Sequence, residues 1–351
     1  MRKKTAAIIL GVLIIAAVYI LVQYADTGTG SADSTSDTDS ATRTVFAMDT
    51  VMTFTVYGEN CEEAADAAVD EVERLDALLS IGSDESEVSI LNASGTLTVS
   101  DDTAYLITRA LEIYESTGGL FDMTISPLMT LWGFPSQEYY VPTEAEIAAL
   151  LPLVDSSQVT ISGNTVTLGE GQQIDLGGIA KGYASSRIME IYEEYGITSG
   201  MVSLGGNIQV LNVKPDGSNW RIGIQDPDAS SGTTIAVLEV AGKAVITSGG
   251  YERYFEQDGE TYIHILDPRT GYPVTSDLSS VTIVSEDGTL ADGLSTALYI
   301  MGLEDAIAYW QAHSDEFDII LIEAETRTLY ISSPLADYLT SDEEIVIVSA
   351  E

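Results

Sequence analysis

Ile174-Asp175-Leu176-Gly177-Gly178-Ile179-Ala180-Lys181-Gly182-Tyr183 is the stretch on which the reading of this chain turns. An apolar segment carries an acidic residue into a paired-glycine turn, and a helix with an early lysine follows. A helix start presents backbone N–H groups without intrahelical partners and the positive end of the helix dipole. Both suit a phosphate-bearing ligand. The glycines let backbone approach closely, and Lys181 adds a point charge. The glycine spacing is neither that of a Walker loop nor that of a dinucleotide fingerprint. A plain strand-to-helix connection uses the same turn chemistry, so the segment takes its meaning from its surroundings.

On either side, strands and helices mix without regular alternation. Val45–Tyr57 reads as one or two strands. Asn60 with Glu63 forms a capping box, and Ala64, Ala65, Ala68, Val69, Val72, Leu75 and Leu79 then give a helical apolar stripe. A second helix runs from about Asp102 to Thr117 and stops at Gly118-Gly119. Thr143 with Glu146 caps a short helix, and Gly163-Asn164 turns a hairpin between Val159–Ile161 and Thr165–Leu168. Further strands are expected near Val202, Trp220–Ile224, Ile235–Val240, Tyr262–Leu266, Val281–Val284, Ile319–Ile322 and Leu329–Ile331. Helices near Ala291–Met301 and Leu303–Gln311 interrupt them. This order predicts an α+β fold rather than a doubly wound sheet.

The chain has 55 acidic and 14 basic residues, a net charge of −41, which argues against nucleic acid as a partner. An acidic protein that takes a phosphate ligand needs a local cation, and a divalent metal supplies one. Arg2-Lys3-Lys4 precedes an uncharged apolar run, Thr5–Val22, of 18 residues. That length with a basic flank predicts an N-terminal transmembrane helix over residues 1–23, its N-terminus cytoplasmic and the bulk of the chain extracytoplasmic. A cleaved secretory signal is the competing reading, but Tyr24-Ala25-Asp26 is a poor cleavage site. Residues 24–43 are Ser, Thr, Asp and Gly in the main and read as a flexible tether. Residues 44–351 are expected to form one large domain, with two intimate lobes as the alternative. Cys61 is the single cysteine; it permits no internal disulfide and reads as an inert structural thiol within a helix.

Three segments carry the residue types that chemistry needs. Asp292, Ser295 and Thr296 stand at i, i+3 and i+4 of a helix, so their oxygens share a face. One carboxylate with hydroxyls suits Mg²⁺ completed by phosphate and water; ordinary helix hydroxyls beside an N-terminal Asp are the plainer alternative. His264, one of two histidines, ends a strand beside Asp267 and is placed as a general base, the plainer alternative being that it only hydrogen-bonds the turn. Gly118–Phe134 is a glycine-opened segment whose Phe121 and Trp132 would line a pocket or simply fill core. Ser203–Asn207 and Thr247–Tyr251 are two more small-residue turns.

In this order, Gly118–Phe134, Asp175–Tyr183, Ser203–Asn207, Thr247–Tyr251, His264–Gly271 and Ala291–Ala297 resemble the ApbE family of FAD:protein FMN transferases, across about Val45 to Val348. The resemblance implies an ApbE-like domain that binds FAD, with Mg²⁺ on the diphosphate, and moves FMN onto a threonine or serine of an acceptor protein with release of AMP. It implies FAD contacts at Met48, Leu120, Phe121, Asp122, Asp175, Lys181 and Leu266. It places metal ligands at Gly178, Asp292, Ser295 and Thr296, and the base at His264. Asp49 stands where relatives carry glycine, and Gly82 where many carry an FAD-contacting tyrosine. Many relatives are lipoproteins, whereas a peptide anchor is expected here. The implied acceptor is a redox subunit or flavin-binding domain outside the cytoplasm. Hydrolysis of FAD to FMN and AMP, or FAD binding without turnover, are the competing functions.

Overall fold

Runs rich in Val, Ile and Thr build the frame, because their stiff side chains suit a pleated surface. The computed structural model describes residues 38–229 and 232–350. Nine strands form one sheet, which begins at one edge with Ser40–Ala47, Thr50–Tyr57, Ser199–Leu204, Asn207–Leu211 and Ala244–Gly249. It continues through Leu278–Ser285, Asp318–Glu323, Leu329–Ser332 and Ile345–Val348. Neighbours run antiparallel except the last pair, where Ile331 faces Ile347 in parallel register. An antiparallel sheet with helices to one side is the α+β class expected from the element order.

Both faces of the sheet are buried. Ile246, Val281, Ile283, Ile319 and Leu321 enter one core, while Val245, Val284, Ile320 and Ile322 enter another. The period of two along each strand makes that division. Helices Cys61–Leu79, Ala180–Glu194 and Gly288–Met301 cover the first core. A three-stranded sheet of Trp220–Gln225, Thr234–Val240 and Leu339–Ser341 closes the second. A smaller aromatic cluster joins helices Ser126–Trp132 and Glu144–Leu150 to the hairpin Tyr254–Gln257/Glu260–Ile263.

Most of the expected elements are present, with some corrections. The stripe on Cys61–Leu79 is buried, Val69 only partly. The capping box at Asn60 is absent, because Asn60 takes a left-handed conformation (φ 64°) and its side chain donates to the Tyr195 carbonyl at 3.2 Å instead. The Thr143–Glu146 box is formed, and Ser162 pairs with Thr165 across the Gly163-Asn164 hairpin. The strand expected to reach Leu266 stops at Ile263. Ser40–Arg43, expected in the tether, instead open the first strand. Pairing with Phe54–Tyr57 fixes them, and Arg43 binds Glu62 at 2.5 Å and Asp66 at 2.6 Å. The expected membrane span lies outside the described residues, and among those described no helix is long and apolar enough to cross a membrane. Cys61 is buried and free, its thiol pushed up by that burial.

Candidate active site

The Lys181 helix (Ala180–Glu194) and the Asp292 helix (Gly288–Met301) meet with their backbones almost in contact. A Cβ on Gly182 would lie 2.1 Å from the Gly288 carbonyl oxygen and 2.6 Å from Asp292 Cβ. This approach lets the Gly182 N–H donate to Asp292 Oδ2 at 2.8 Å. Asn207, just past the Gly205-Gly206 turn, donates to Oδ1 at 2.9 Å. Asp292 is therefore held by two donors from two elements that are distant in sequence. Burial pushes its pKa up, while Lys181, Gly182 and Asn207 pull the other way.

Thr296, one turn further along, faces the same cavity. Ser295 does not line it. That side chain is fully buried, donating to the Asp292 carbonyl at 2.8 Å and sharing a 2.8 Å hydrogen bond with Ser248. The expected shared face of three oxygens thus reduces to Asp292 and Thr296 at the cavity wall. Ser295 sits one layer behind, because its hydroxyl back-bonds along its own helix.

His264 is held from the other side of the chain. Its N–H donates to the Arg253 carbonyl at 3.0 Å, and its ring Nδ1 lies 3.1 Å from the same oxygen. A carbonyl only accepts, so Nδ1 carries the hydrogen and Nε2 keeps the lone pair. Burial, followed by the nearby Arg253 guanidinium, pushes the imidazole down to about 4. At neutral pH it is an uncharged base. Asp267, expected beside it, is turned to Arg269, accepting from that residue's N–H and Nε at 2.9 Å and from Nη2 at 2.8 Å. The imidazole is oriented by a backbone carbonyl rather than by a carboxylate.

Asn207, His264, Asp292 and Thr296 face one cavity of about 850 Å³, which Met48, Leu120, Phe121, Asp122, Asp175, Gly178, Lys181 and Leu266 also line. Met48 and Asp49 are the two residues of a tight hairpin turn, both left-handed at φ 47° and 60°. Asp tolerates that region better than most side chains do, which explains how it replaces glycine there. A Cβ on Gly178 would stand 3.1 Å from the Phe121 ring, so the glycine lets the turn close over that ring. The Asp122 carboxylate is committed to the wall itself, accepting from Thr124 N at 2.8 Å and Ser156 Oγ at 2.6 Å. Asp175 accepts from Gly177 N at 2.8 Å and is pushed up by burial, with Arg253 and Lys181 opposing. At Gly82 a Cβ would meet only Ser80 Oγ, at 3.5 Å.

Glu252 and Arg253 also line the cavity, and sequence reasoning missed them. Both directly follow Thr247-Ser248-Gly249-Gly250-Tyr251, so charges placed after a glycine pair were the available signal. Glu252 is exposed at the cavity wall. Desolvation by the surrounding cleft pushes it up to about 7, with Lys181 opposing and Asp292 adding to the rise.

The donor set fits a hard divalent cation. Asp292 and Thr296 offer side-chain oxygens at the wall that Gly178 also lines, and the Asp292 carboxylate keeps lone-pair capacity beyond the bonds from Gly182 and Asn207. Among the described residues no group of three or more His, Cys, Asp or Glu side chains could hold a metal unaided. A cation here would therefore share its coordination with a ligand's phosphates. Asp175, Glu252 and Asp292, all pushed up by burial, mark a cleft short of positive charge.

The ApbE family model matches residues 48–321. An FAD:protein FMN transferase of Klebsiella pneumoniae (strain 342) is 35% identical over 269 residues, covering 75% of this chain and 83% of that protein. One from Treponema pallidum (strain Nichols) is 32% identical over 304 residues, covering 80% and 84%. The crystal structure of the ApbE protein of Thermotoga maritima superposes with a TM-score of 0.80 at 32% identity, covering 86% of this chain and 99% of that one. Flavin transferase ApbE from Vibrio cholerae gives 0.77 at 29% identity over the same shares, 86% and 99%.

Proposed function

This chain belongs to the ApbE family, and from that premise we propose that it is an enzyme, an FAD:protein FMN transferase. It breaks the diphosphate of FAD and places the FMN half on a threonine or serine hydroxyl of an acceptor protein. The observation that carries this reading is the single cavity joining the Lys181 helix start, the Asp292–Thr296 wall and the uncharged His264. Its volume of about 850 Å³ lies toward the top of the range for small-molecule sites, roughly 300–1,000 Å³, as a dinucleotide requires.

The acceptor oxygen attacks the phosphorus of the FMN half, and Nε2 of His264 takes the hydroxyl proton as the new P–O bond forms. The bond from that phosphorus to the bridging oxygen breaks, and AMP leaves with the electron pair. Lys181 stabilises charge on the phosphates during this displacement, whereas the helix-start N–H groups of Ile179, Ala180 and Gly182 are taken by the Leu176 carbonyl and Asp292. Asp292, Thr296 and the Gly178 carbonyl would hold Mg²⁺, with Ser295 bracing Asp292 and Ser248 from behind. Bound there, the ion neutralises charge on the diphosphate. Arg2-Lys3-Lys4 ahead of Thr5–Val22 supports an acceptor on the extracytoplasmic side of the membrane.

The test is incubation of the full chain with FAD, Mg²⁺ and a threonine-bearing acceptor, following AMP release and covalent flavin fluorescence. Both should appear, and both should fail with chelator or in His264→Ala while that variant still binds FAD. Equal AMP release with and without acceptor would replace transfer by hydrolysis. No AMP and no labelled acceptor would overturn the proposal.

A further inference from the structure

Resting on that reading, we propose that Arg253 is a second phosphate-binding residue of the cavity, its guanidinium holding phosphoryl oxygens of the FMN half beside His264. Lys181 and Arg253 are the lysine and arginine residues that line the cavity, against seven Asp and Glu. A diphosphate entering so acidic a cleft needs each of those cations. The state of the guanidinium is the telling feature. Six of the eight described arginines, Arg43, Arg74, Arg109, Arg187, Arg269 and Arg327, are paired with carboxylates, and Arg221 lies exposed outside the cavity. Arg253, in the same strongly acidic protein, instead donates one hydrogen bond to a neutral oxygen, the Phe134 carbonyl at 2.9 Å. An arginine has five N–H donors in a planar fork that matches phosphate. Most of that fork stays available to a ligand.

Its position is fixed relative to the chemistry. The Arg253 carbonyl accepts both the His264 N–H at 3.0 Å and the ring Nδ1 at 3.1 Å, so the residue that holds the imidazole also carries the cation. Its charge reaches Asp175 as well as His264. A phosphoryl group bound by Arg253 therefore lies in the same cavity as His264, whose Nε2 takes the acceptor's proton. The tether to His264 runs through backbone, so side-chain substitutions at Arg253 leave it in place.

FMN and riboflavin differ by the phosphate alone, and they isolate the claim. Calorimetric titrations of the full chain with FMN, riboflavin and FAD plus Mg²⁺ should be compared for wild type, Arg253→Ala and Arg253→Lys. Arg253→Ala should weaken FMN and FAD about tenfold to a hundredfold, the scale of a hydrogen bond to a charged group, while riboflavin changes less than about twofold. Arg253→Lys should recover most of the FMN affinity. Equal weakening of FMN and riboflavin, or no change in either, overturns the assignment and leaves the transferase reading intact. A wild-type chain that binds none of the three flavins sinks the transferase reading itself, and this assignment with it.

Discussion

Gly182→Ala is the sharpest perturbation available, since the added methyl group points into the contact that creates the site. Its carbon would stand 2.1 Å from the Gly288 carbonyl oxygen, about 0.9 Å inside the 3.0 Å limit that real Cβ contacts respect. The obstruction is backbone and cannot rotate away, so the Lys181 and Asp292 helices must separate. Overpacking of this kind costs about 1–3 kcal/mol. Separation also stretches the 2.8 Å bond from Gly182 N to Asp292 Oδ2, and losing a bond to a charged, buried acceptor costs about 1.5–3 kcal/mol. Alanine's better helix propensity returns at most about 1 kcal/mol. The net expectation is a loss of roughly 2–5 kcal/mol, a large share of a typical fold's 5–15. Urea unfolding of the ligand-free chain measures it directly as a lower midpoint at constant slope. Because Asp292 is displaced, Mg²⁺-dependent FAD binding should weaken as well. A variant within about 0.5 kcal/mol of wild type, the range of an inconsequential surface change, with unaltered FAD affinity would refute the claim that this glycine contact positions Asp292.

Three further outcomes follow from the site. With His264 pushed down to about 4, the acid limb of kcat/KM for transfer should lie below pH 5, and a limb centred near 6.5 would show that the imidazole is not held as described. Glu252 is raised from 4.5 to about 7, so it stabilises the fold fully below 4.5 and loses that contribution as pH climbs through 7. Melting temperatures of ligand-free Glu252→Gln should therefore fall less steeply than wild type between those values, and parallel curves would refute the burial argument. A Cβ on Gly82 makes only an ordinary 3.5 Å contact with Ser80 Oγ, so Gly82→Tyr should add a stacking surface that tightens FAD by about 0.5–1.5 kcal/mol in a fluorescence titration. Unchanged or weaker binding would show that the flavin lies elsewhere in the cavity.

Much of the site was legible because the relevant signals are local. Paired glycines before Lys181, Asp292 with Thr296 one turn on, and a histidine at a strand end each follow from backbone period and turn chemistry. The failures are equally specific. Asn60 and Glu63 have capping-box spacing, yet the left-handed backbone at Asn60 and the nearby Tyr195 carbonyl redirect the side chain. Ser295 has the right helical phase but spends its hydroxyl on the Asp292 carbonyl and Ser248. Asp267 is near His264 in sequence, but Arg269 is closer in its turn and takes it. Ser40–Arg43 carry no strand signal of their own, and the adjacent strand supplies their order.

Composition, period and motif order were enough to indicate an acidic α+β chain with a glycine turn running into the Lys181 helix, since those properties depend on neighbours within a few positions. The partners of Asp292, the carbonyl that fixes His264's tautomer, and the presence of Glu252 and Arg253 in the same cavity belong to the tertiary structure alone. Gly182 and Asp292 are 110 residues apart, and Asn207 and Asp292 are 85. A hydrogen bond acts over about 3 Å, so only the packing of helix on helix and strand on strand could choose which of those distant groups would meet.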